Sequence, residues 1–589
     1  MAEKSDVYVS IRLNAFATDQ LAPDKYIFVD SQKKKAIEFK HRLDDFEDEF
    51  DRNLTIEIHK AQIEKKELDD LKHALMGDKL SLRNPCMEGT RNDILTKIEK
   101  EVKNVNGPNV IWIMGFPGVG KSSLAASIAI RLQDQHRHVI CFRFDRTRST
   151  TITTDALWRA VAYDLACLHP SLRKHLTQSS RKLISSDVDQ LFKLLIETPL
   201  SLLNNVLLGE LPVIVIDALD ECGGLRHDSS EQNDHSALLR TLQRWVQVNH
   251  LKKFKLVITS RQEDHTTRIF PEPISIHVNV PSGHDVEPGG SASEDIHIFL
   301  KSRLEGMGME GALIKKALNC LVPRAAGVFI WATTVANFLE WDPKARFAMI
   351  EKDGGKGLTN LYSLYSTIIK ASFRHGLEKE DIKAVISVIG AMIFAKEPLK
   401  DDMLIMLPGV KIMGSDVDRL GSIRKGLMSV IDSSPVLRFH HPSFKNFLLS
   451  PSFPQQHPEL SDIQNRVHQE RQLTVLCLKT LASSKLHFNM CSLESSIVRN
   501  VDIQATAETT ISPLVSYSCQ YWADHLAHTS DETSMEAVNF VMYEKLLFWL
   551  EAMSLSGKTY EATLILKRAL SWKVCLQFIS YNTSLMLVA

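Results

Sequence analysis

The chain has 589 residues, of which 44% are hydrophobic and 24% are charged, as is ordinary for a globular protein. At roughly 100–200 residues per domain, this length corresponds to about three or four domains. Lys and Arg number 70 and Asp and Glu number 71, so the net charge of -1 favours neither nucleic acid nor a membrane surface as a partner.

Cysteine usage and the N-terminus indicate the compartment. The nine cysteines include no C-x-x-C pair, which argues against a zinc site and against a disulfide framework. Free thiols suit a reducing compartment. The N-terminus has no apolar signal core, and no apolar run reaches about 18 residues. We therefore expect a cytoplasmic protein without a membrane span.

The first 80 residues carry weak patterns. Residues 6–13 and 25–30 alternate like strands, and 31–73 are dense in charge. Apolar residues recur there at helical spacing, which predicts a long amphipathic helix: Phe39, Leu43, Phe46, Phe50 and Leu54. This helix is either a coiled-coil-like interaction segment or a solvated helix packed on the next domain, and its irregular heptads favour the second interpretation.

Residues 115–123 fit the phosphate-loop pattern G-x-x-x-x-G-K-[ST]. An apolar, strand-like run at 109–114 precedes them, and a helix-forming run at 124–132 follows. Glycines let backbone N–H groups face phosphate oxygens, Lys121 would reach the β- and γ-phosphates, and Ser122 would ligate Mg²⁺. The predicted nucleotide-binding residues are Gly115, Phe116, Pro117, Gly118, Val119, Gly120, Lys121, Ser122 and Ser123.

Further strands alternate with helices after this loop. Strand patterns cover 139–144, 211–217, 254–261 and 274–278, with helical patterns between them. This alternation predicts an α/β fold with a doubly wound parallel sheet and with nucleotide at the carboxyl ends of the strands. We expect the strand that ends in Asp217 to lie beside the P-loop strand.

An acidic cluster ends the predicted strand at 211–217. Asp217 would hold Mg²⁺, directly or through water. Asp220 or Glu221 would orient or deprotonate the attacking water, and Glu221 is preferred as the base because it lies farther from the metal. Arg261 ends the next strand and would contact the γ-phosphate. No N-K-x-D motif is present, which favours ATP over GTP.

The remainder of the chain is predominantly helical by pattern, which gives five predicted regions. They are an N-terminal segment at 1–80, a P-loop NTPase domain at 81–290, a helical domain at 291–380, a winged-helix-like domain at 381–455 and a C-terminal helical region at 456–589. No repeat with a period of 20–50 residues is found.

Taken together, these motifs resemble those of NACHT-type (nephrocystin-type) P-loop NTPases of the STAND class, above all the fungal set. The resemblance spans about 80–550 and depends on the P-loop, on 215–222 and on 86–91 (C-M-E-G-T-R). Weaker matches lie at 258–261, 326–332, 440–448 and 521–526. The resemblance implies ATP/ADP and Mg²⁺ as ligands, self-association on activation and an unknown protein effector.

The resemblance also assigns a role to His441, which matches the family's H-x-S-F histidine. In relatives this histidine contacts the β-phosphate of ADP and locks a closed state; the alternative is a histidine that caps a helix beside Pro442. Gly327 matches the position where the family's helical domain approaches adenine, although 326–332 would equally suit a packed core.

The function implied by the resemblance is a slow nucleotide switch in signalling. The chain carries no WD-repeat propeller pattern, which many fungal relatives have at the C-terminus. The alternatives are a P-loop kinase or ATPase with steady turnover and a scaffold that binds nucleotide without hydrolysis. The sequence has no arginine-rich lid pattern, which argues against a kinase. The intact Lys121, Asp217 and Glu221 argue against a scaffold.

Overall fold

A computed structural model describes most of the chain beyond residue 83. Before that point it describes only scattered residues, so the predictions for 1–80 lie outside the described part. From 84 to 588, the gaps in the description are 105, 146–151, 169, 181–186, 203–211, 223–228, 248–253, 263–269, 272–274, 283–290, 353–357, 374–377, 412–417, 433–435, 495–497, 499 and 530–532.

The first half of the described chain alternates strands and helices. In chain order the elements are α1 (Asn92–Lys103), β1 (Val110–Met114), α2 (Lys121–Asp134), β2 (Val139–Arg143), α3 (Thr154–Leu168), α4 (Pro170–Ser180), α5 (Val188–Phe192), a π-turn (Lys193–Glu197), α6 (Thr198–Leu202), β3 (Val213–Asp217), a 3₁₀ turn (Leu219–Glu221), α7 (Ser229–Gln247), β4 (Lys255–Ser260) and β5 (Ser275–Asn279). This order matches the predicted α/β pattern.

The second half is almost entirely helical. Its elements are α8 (Ser291–Gly306), α9 (Gly311–Ala325), α10 (Phe329–Leu339), α11 (Pro343–Lys352), α12 (Leu358–Ser372), α13 (Lys379–Phe394), α14 (Asp401–Leu404), α15 (Arg419–Leu427), β6 (Ile431–Asp432), β7 (Arg438–Phe439), α16 (Pro442–Leu448), α17 (Phe453–Gln456), a 3₁₀ helix (Pro458–Gln464), α18 (Arg466–Ala482), α19 (Asn500–Thr510), α20 (Pro513–Leu526), α21 (Thr533–Phe540), a π-turn (Val541–Lys545), α22 (Leu546–Leu555) and α23 (Thr559–Val588).

The chain divides into two compact units. One contains Met1–Met76 and Leu165–Ile184, and the other contains Gly77–Asp164 and Ser185–Ala589. The sheet, the P-loop and the later helices belong to the second unit, which is described below. No described helix is both long and apolar enough to cross a bilayer.

The five long strands form one parallel sheet in the order β2-β3-β4-β1-β5. The prediction that the Asp217 strand neighbours the P-loop strand is therefore wrong, because β4 lies between β3 and β1. Strand pairing is a non-local property, whereas apolar pattern reports only that a strand exists. The carboxyl ends of all these strands still meet at one edge, as a parallel sheet requires.

The sheet is buried on both faces by helices. Every residue of β1, β3 and β4 is buried, which explains their continuous apolar runs. Leu95 of α1 and Leu124 of α2 share one apolar cluster with Val213 and Val257. Elsewhere Trp158 of α3 stacks on Trp245 of α7 at 6.2 Å between ring centroids. These packed helices fix the loops at the carboxyl edge of the sheet.

The helical half has one continuous apolar core that runs from Ile296 to Trp572. Within it, β6 and β7 form a two-stranded antiparallel pair just before α16. A buried group of polar side chains joins the end of α13 to α18 and α20. We call it the C-terminal polar cluster, and it consists of Lys396, Glu470, Tyr517 and His525.

Candidate nucleotide-binding site

The P-loop joins β1 to α2 and wraps around the side chain of Lys121. The ammonium of Lys121 donates hydrogen bonds to the carbonyls of Gly115 at 2.7 Å and Phe116 at 3.0 Å. Gly118 and Gly120 have φ values of +81° and +97°, a region that side chains other than glycine strongly disfavour. The glycines of the motif thus permit the turn that brings the loop around the lysine.

The predicted site residues converge on Lys121. Burial lowers the pKa of Lys121 to about 8, and the positive charge of Arg261 acts in the same direction. The negative charges of Asp220, Asp217 and Glu221 oppose this shift, the first most strongly. A buried ammonium favours the binding of phosphate groups, and the carboxylates around it favour the metal cation that accompanies those phosphates.

Asp217 ends β3 and is completely buried. Its Oδ1 accepts a hydrogen bond from the Thr259 hydroxyl at 2.5 Å, whereas its Oδ2 has no hydrogen-bond partner among the described residues. Leaving a buried carboxylate oxygen unpaired is costly. A hard divalent cation with oxygen ligands would satisfy it, so the residues present fit Mg²⁺, with Ser122 in the first turn of α2 as the second predicted ligand.

The turn after β3 is held by the neighbouring strand. Ala218 has φ +58°, which is unfavourable for a residue with a Cβ. Its N–H donates to Thr259 Oγ1 at 2.8 Å, and the 3₁₀ turn of Leu219–Glu221 follows directly. Strained backbone of this kind recurs at functional sites, and here it places Asp220 and Glu221 next to Asp217.

Asp220 and Arg261 are joined in this structure. The Nε atom of Arg261 lies 3.0 Å from Asp220 Oδ2, and the backbone N–H of Arg261 donates to Asp220 Oδ1 at 3.1 Å. The Asp220 side chain is 7% exposed and that of Arg261 is 32% exposed. The predicted phosphate-contacting arginine therefore sits on a carboxylate in this arrangement.

The helical half of the molecule contacts the P-loop directly. The N–H of Ile330, in the first turn of α10, donates to the Gly118 carbonyl at 2.9 Å. A Cβ added to Gly118 would overlap the Ile330 side chain and would lie 3.6 Å from Cε1 of His441. The loop is thus closely covered by residues far away in the sequence.

His441 fits the helix-cap interpretation, and it also lies at the loop. Its Nδ1 accepts from the Ser443 N–H at 3.2 Å and lies 2.7 Å from the Ser443 hydroxyl, which is in turn 2.7 Å from the Tyr365 hydroxyl. Because Nδ1 accepts from a backbone N–H, the neutral ring carries its proton on Nε2. That leaves an N–H donor on the other side of a ring whose Cε1 is near Gly118.

The other predicted positions divide between the loop surface and the core. Val119 is buried, and Phe116 is 56% exposed at the loop surface. Gly327 has φ +76° and follows α9, and Trp331 is buried in the helical core, which agrees with the packed-core interpretation of 326–332. Partly buried Pro117 and Ser123 complete the loop.

Sequence reasoning missed Thr259, Ile330 and Arg91, which the structure places against Asp217, Gly118 and Val119 respectively. Each lies within a stretch that carried the family resemblance, but none belongs to a motif with an assigned role. Position within those stretches was the available signal. Their partners lie 28 to 212 positions away, a separation that pattern alone does not reveal.

Comparisons with known proteins agree with these features. The family model described as Nephrocystin 3, N-terminal, matches residues 89–261. Vegetative incompatibility protein HET-E-1 of Podospora anserina is 24% identical over 481 residues, which cover 76% of this chain and 33% of that protein. The chain thus spans about a third of the length of this curated relative.

Among solved structures, a STAND protein with a tetratricopeptide repeat sensor from Pyrococcus horikoshii is similar at 14% identity with a TM-score of 0.36, covering 85% of this chain and 66% of that chain. A Walker-type ATPase of Pyrococcus abyssi is similar at 16% identity with a TM-score of 0.29, covering 62% and 98%.

The matched stretch 89–261 includes the P-loop, the acidic turn and Arg261, whereas Ile330 and His441 lie outside it. The fold agrees as well, because a parallel sheet carries the loop and helices follow it. Residues 89–261 therefore match the nephrocystin-type family model, in agreement with the predicted resemblance of the chain to NACHT-type P-loop NTPases of the STAND class.

Proposed function

We propose that the chain is a slow ATP-hydrolysing switch that alternates between an ADP-bound closed state and an ATP-bound open state. The observation that carries this proposal is the contact of the P-loop with the helical half, at Gly118, Ile330 and His441. A nucleotide bound at this loop meets groups from distant segments at once. Its terminal phosphate can therefore change how well those segments fit, as a switch requires.

We assign the following roles at the site. Backbone N–H groups of the loop and Lys121 bind the phosphates, and Ser122 with Asp217 would hold Mg²⁺. Mg²⁺, when bound, neutralises charge on the phosphate oxygens. Glu221 orients and deprotonates the attacking water, with Asp220 as the alternative base.

The pair of Asp220 and Arg261 supplies a sensor for the terminal phosphate. In the closed arrangement the guanidinium is neutralised by Asp220 at 3.0 Å. A γ-phosphate is a stronger acceptor for a guanidinium fork and competes for it. ATP therefore releases Asp220, whereas ADP leaves the pair intact.

His441 is the proposed latch for ADP. Its Nδ1 caps α16, which holds the ring in one orientation and puts the proton of the neutral ring on Nε2, the atom that would donate to the β-phosphate. We assign 381–455 as a winged-helix-like domain, in which β6–β7 is the wing and α16 carries the latch. Movement of this domain would withdraw the histidine and open the site.

The biological role is proposed from the relatives. Similarity to a vegetative incompatibility protein supports a cytoplasmic signalling role in self/non-self recognition or innate immunity, with self-association in the open state and a protein effector. Steady ATP turnover at about 1–1000 per second would instead indicate an ordinary ATPase.

The test begins with the nucleotide retained by the purified full-length chain. The switch predicts tightly bound ADP in a monomer, which assembles into larger particles when ADP is exchanged for a non-hydrolysable ATP analogue. His441→Ala is expected to weaken ADP binding about tenfold and to leave the analogue unaffected. If His441→Ala weakens both nucleotides equally, the latch is rejected. If the particles have the same size with ADP and with the analogue, the switch is rejected.

A further inference from the structure

Arg91 is a buried arginine to which the proposed function gives no role. It is 2% exposed and has φ +60°, immediately before α1. Burying a guanidinium costs several kcal/mol unless its charge and its N–H groups are compensated. The groups that compensate Arg91 come from two separate parts of the molecule.

The first partner is the P-loop itself. Nη2 of Arg91 donates to the carbonyl of Val119 at 3.0 Å. In a planar trans peptide, that carbonyl and the N–H of Gly120 point in opposite directions. Holding the Val119 carbonyl on the protein side therefore aims the Gly120 N–H at the side where the phosphates bind. Arg91 fixes the orientation of one of the amides that the phosphate site needs.

The second set of partners belongs to the helical half. The backbone N–H of Arg91 donates to Asp295 Oδ1 at 2.8 Å, and its Nε lies 3.7 Å from Asp295 Oδ2. Its guanidinium carbon lies 4.8 Å from the ring centroid of Phe329, the first residue of α10. Ile330, the next residue, bonds the P-loop at Gly118. Of the two helices that contact Arg91, α10 therefore also covers the loop.

Asp295 depends on Arg91 in return. It is 6% exposed, and its Oδ2 has no hydrogen bond among the described residues, so the guanidinium is the positive charge that offsets it. Burial raises the pKa of Asp295, and the hydrogen bond and charge of Arg91 oppose that shift. Separating α8 from Arg91 would leave both groups with uncompensated charge, which then has to be hydrated.

We propose that Arg91 is a positioning residue that couples the phosphate-binding loop to the docking of the helical half. Docked helices stabilise Arg91 in the position that holds the Val119 carbonyl, and undocking loosens it. By thermodynamic reciprocity, a nucleotide that needs the ordered loop favours docking to the same extent. This inference rests on the proposed function, because it gives the route by which the domain arrangement reaches the nucleotide.

The test separates the two sides of Arg91 by substitution. Asp295→Asn and Phe329→Leu change only the helical side, whereas Arg91→Lys also shortens the reach to Val119. The matched controls are Lys97→Gln, on the exposed side of α1, and Arg131→Lys, in a surface ion pair with Glu99. Full-length variants are titrated with a fluorescent ADP and with a fluorescent non-hydrolysable ATP analogue, and their melting temperatures are recorded.

Asp295→Asn and Phe329→Leu are expected to weaken ADP and the ATP analogue alike, each about tenfold, since both nucleotides need the ordered loop and neither residue lies in the domain that moves. Arg91→Lys is expected to weaken both nucleotides about tenfold. The two controls should match the wild-type chain. If Arg91→Lys does not fold, the two helical-side variants still decide the result.

A merely structural role predicts a different result. Asp295→Asn would then lower the melting temperature but leave the affinities for ADP and for the ATP analogue at the wild-type values, and that outcome overturns the coupling. A wild-type chain that binds neither nucleotide overturns the proposed function together with this inference. A wild-type chain that binds both, with unchanged affinities in Asp295→Asn and Phe329→Leu, overturns this inference alone.

Discussion

Two buried carboxylates, Asp217 at the P-loop and Glu470 in the C-terminal polar cluster, have similar burial but different surroundings. Each is at most 1% exposed, and each accepts one hydrogen bond of 2.5 Å through a single oxygen. The second oxygen of Glu470 lies 3.6 Å from the ammonium of Lys396 and 3.5 Å from Nε of Arg466. The protein itself thus supplies the cations that Glu470 needs.

Asp217 is not completed in that way. The second oxygen of each carboxylate lacks a hydrogen bond in the described part of the chain, but Asp217 has no ion pair there comparable to those of Glu470. The ammonium of Lys121 donates two of its hydrogens to loop carbonyls. Burial alone therefore does not identify a functional carboxylate, because both residues are buried. The informative difference is which charge the protein leaves for a ligand to balance.

The C-terminal polar cluster has a structural role, because it joins the end of α13 to α18 and α20. His525 bonds Glu470 through Nδ1 and lies 2.8 Å from the Tyr517 hydroxyl through Nε2, and that hydroxyl accepts from the N–H of Lys396. Burial lowers the pKa of His525, and the hydrogen bond to Glu470 and the charge of that carboxylate oppose the shift. Burial alone would raise the pKa of Glu470, but the bond and charge of His525 with the charge of Lys396 lower it below its ordinary value.

The largest expected effect separates the two carboxylates by stability. Glu470→Gln leaves Lys396 and Arg466 facing an uncharged amide and should cost about 3 kcal/mol, seen as a lower midpoint in urea. Nucleotide affinity should stay within twofold of wild type, because the cluster does not touch the P-loop. Glu544→Gln, an exposed glutamate, is the control. A tenfold loss of nucleotide affinity in Glu470→Gln would remove the distinction drawn here.

Lys121→Ala should give the reverse result. Losing an ammonium that bonds the phosphates is expected to weaken ADP and ATP about a hundredfold, from roughly 2–3 kcal/mol for hydrogen bonds to charged groups. Retained nucleotide, released by denaturation and quantified by chromatography, should fall below detection. Lys97→Ala, on the exposed face of α1, should retain the wild-type amount. Retention by Lys121→Ala at the wild-type level would mean that the wrapped loop is not the nucleotide site.

Asp217→Asn should act on the metal and much less on the nucleotide. Titrations with and without Mg²⁺ are expected to show that the metal strengthens ATP binding about tenfold in the wild-type chain and less than twofold in the variant. Binding in the absence of metal should be equal in both. Asp134→Asn, at the exposed end of α2, keeps the wild-type response. A full Mg²⁺ response in Asp217→Asn would leave the buried oxygen without an explanation.

The sequence predicted the local parts of the site well. Strand, glycine-rich turn and helix are encoded within 109–132, and the position of Asp217 at a strand end follows from four β-branched or apolar neighbours. These features depend on residues a few positions apart, and their physics is equally local. The roles assigned to Lys121, Asp217 and Glu221 remain predictions until the variants are measured.

The non-local parts were not accessible in the same way. Nothing in the apolar pattern of 255–260 states that this strand enters between β1 and β3. Arg91 and Asp295 are 204 positions apart, and a single buried arginine in a sequence is indistinguishable from a surface one. Whether His441 caps a helix or faces the loop was left open, and the cap and the nearness to Gly118 turn out to be compatible.

The smallest expected effect is the response to alkaline pH. With a pKa of about 8 in the folded chain, Lys121 loses its charge as the pH rises through 8. The phosphates are already fully ionised above about pH 7, so their charge does not change in this range. Affinity for ADP should therefore fall about twofold between pH 7 and pH 8, and about tenfold by pH 9. Titrations at constant ionic strength measure this, and the residual binding of Lys121→Ala should show no such step.

Stability of the nucleotide-free chain should move the opposite way. In the unfolded chain Lys121 keeps its ordinary pKa of 10.5, so between pH 8 and pH 10.5 the unfolded state binds more protons than the folded state. The unfavourable contribution of the buried ammonium, full below pH 8, thus shrinks as the pH rises through that window. Comparing the urea midpoints of the wild type and Lys121→Ala across this pH range isolates the contribution of the Lys121 ammonium to the free energy of unfolding. If ADP affinity and the free energy of unfolding both fall as the pH rises, the cause is general alkaline unfolding. If ADP affinity falls while the free energy of unfolding rises, the cause is the buried ammonium of Lys121.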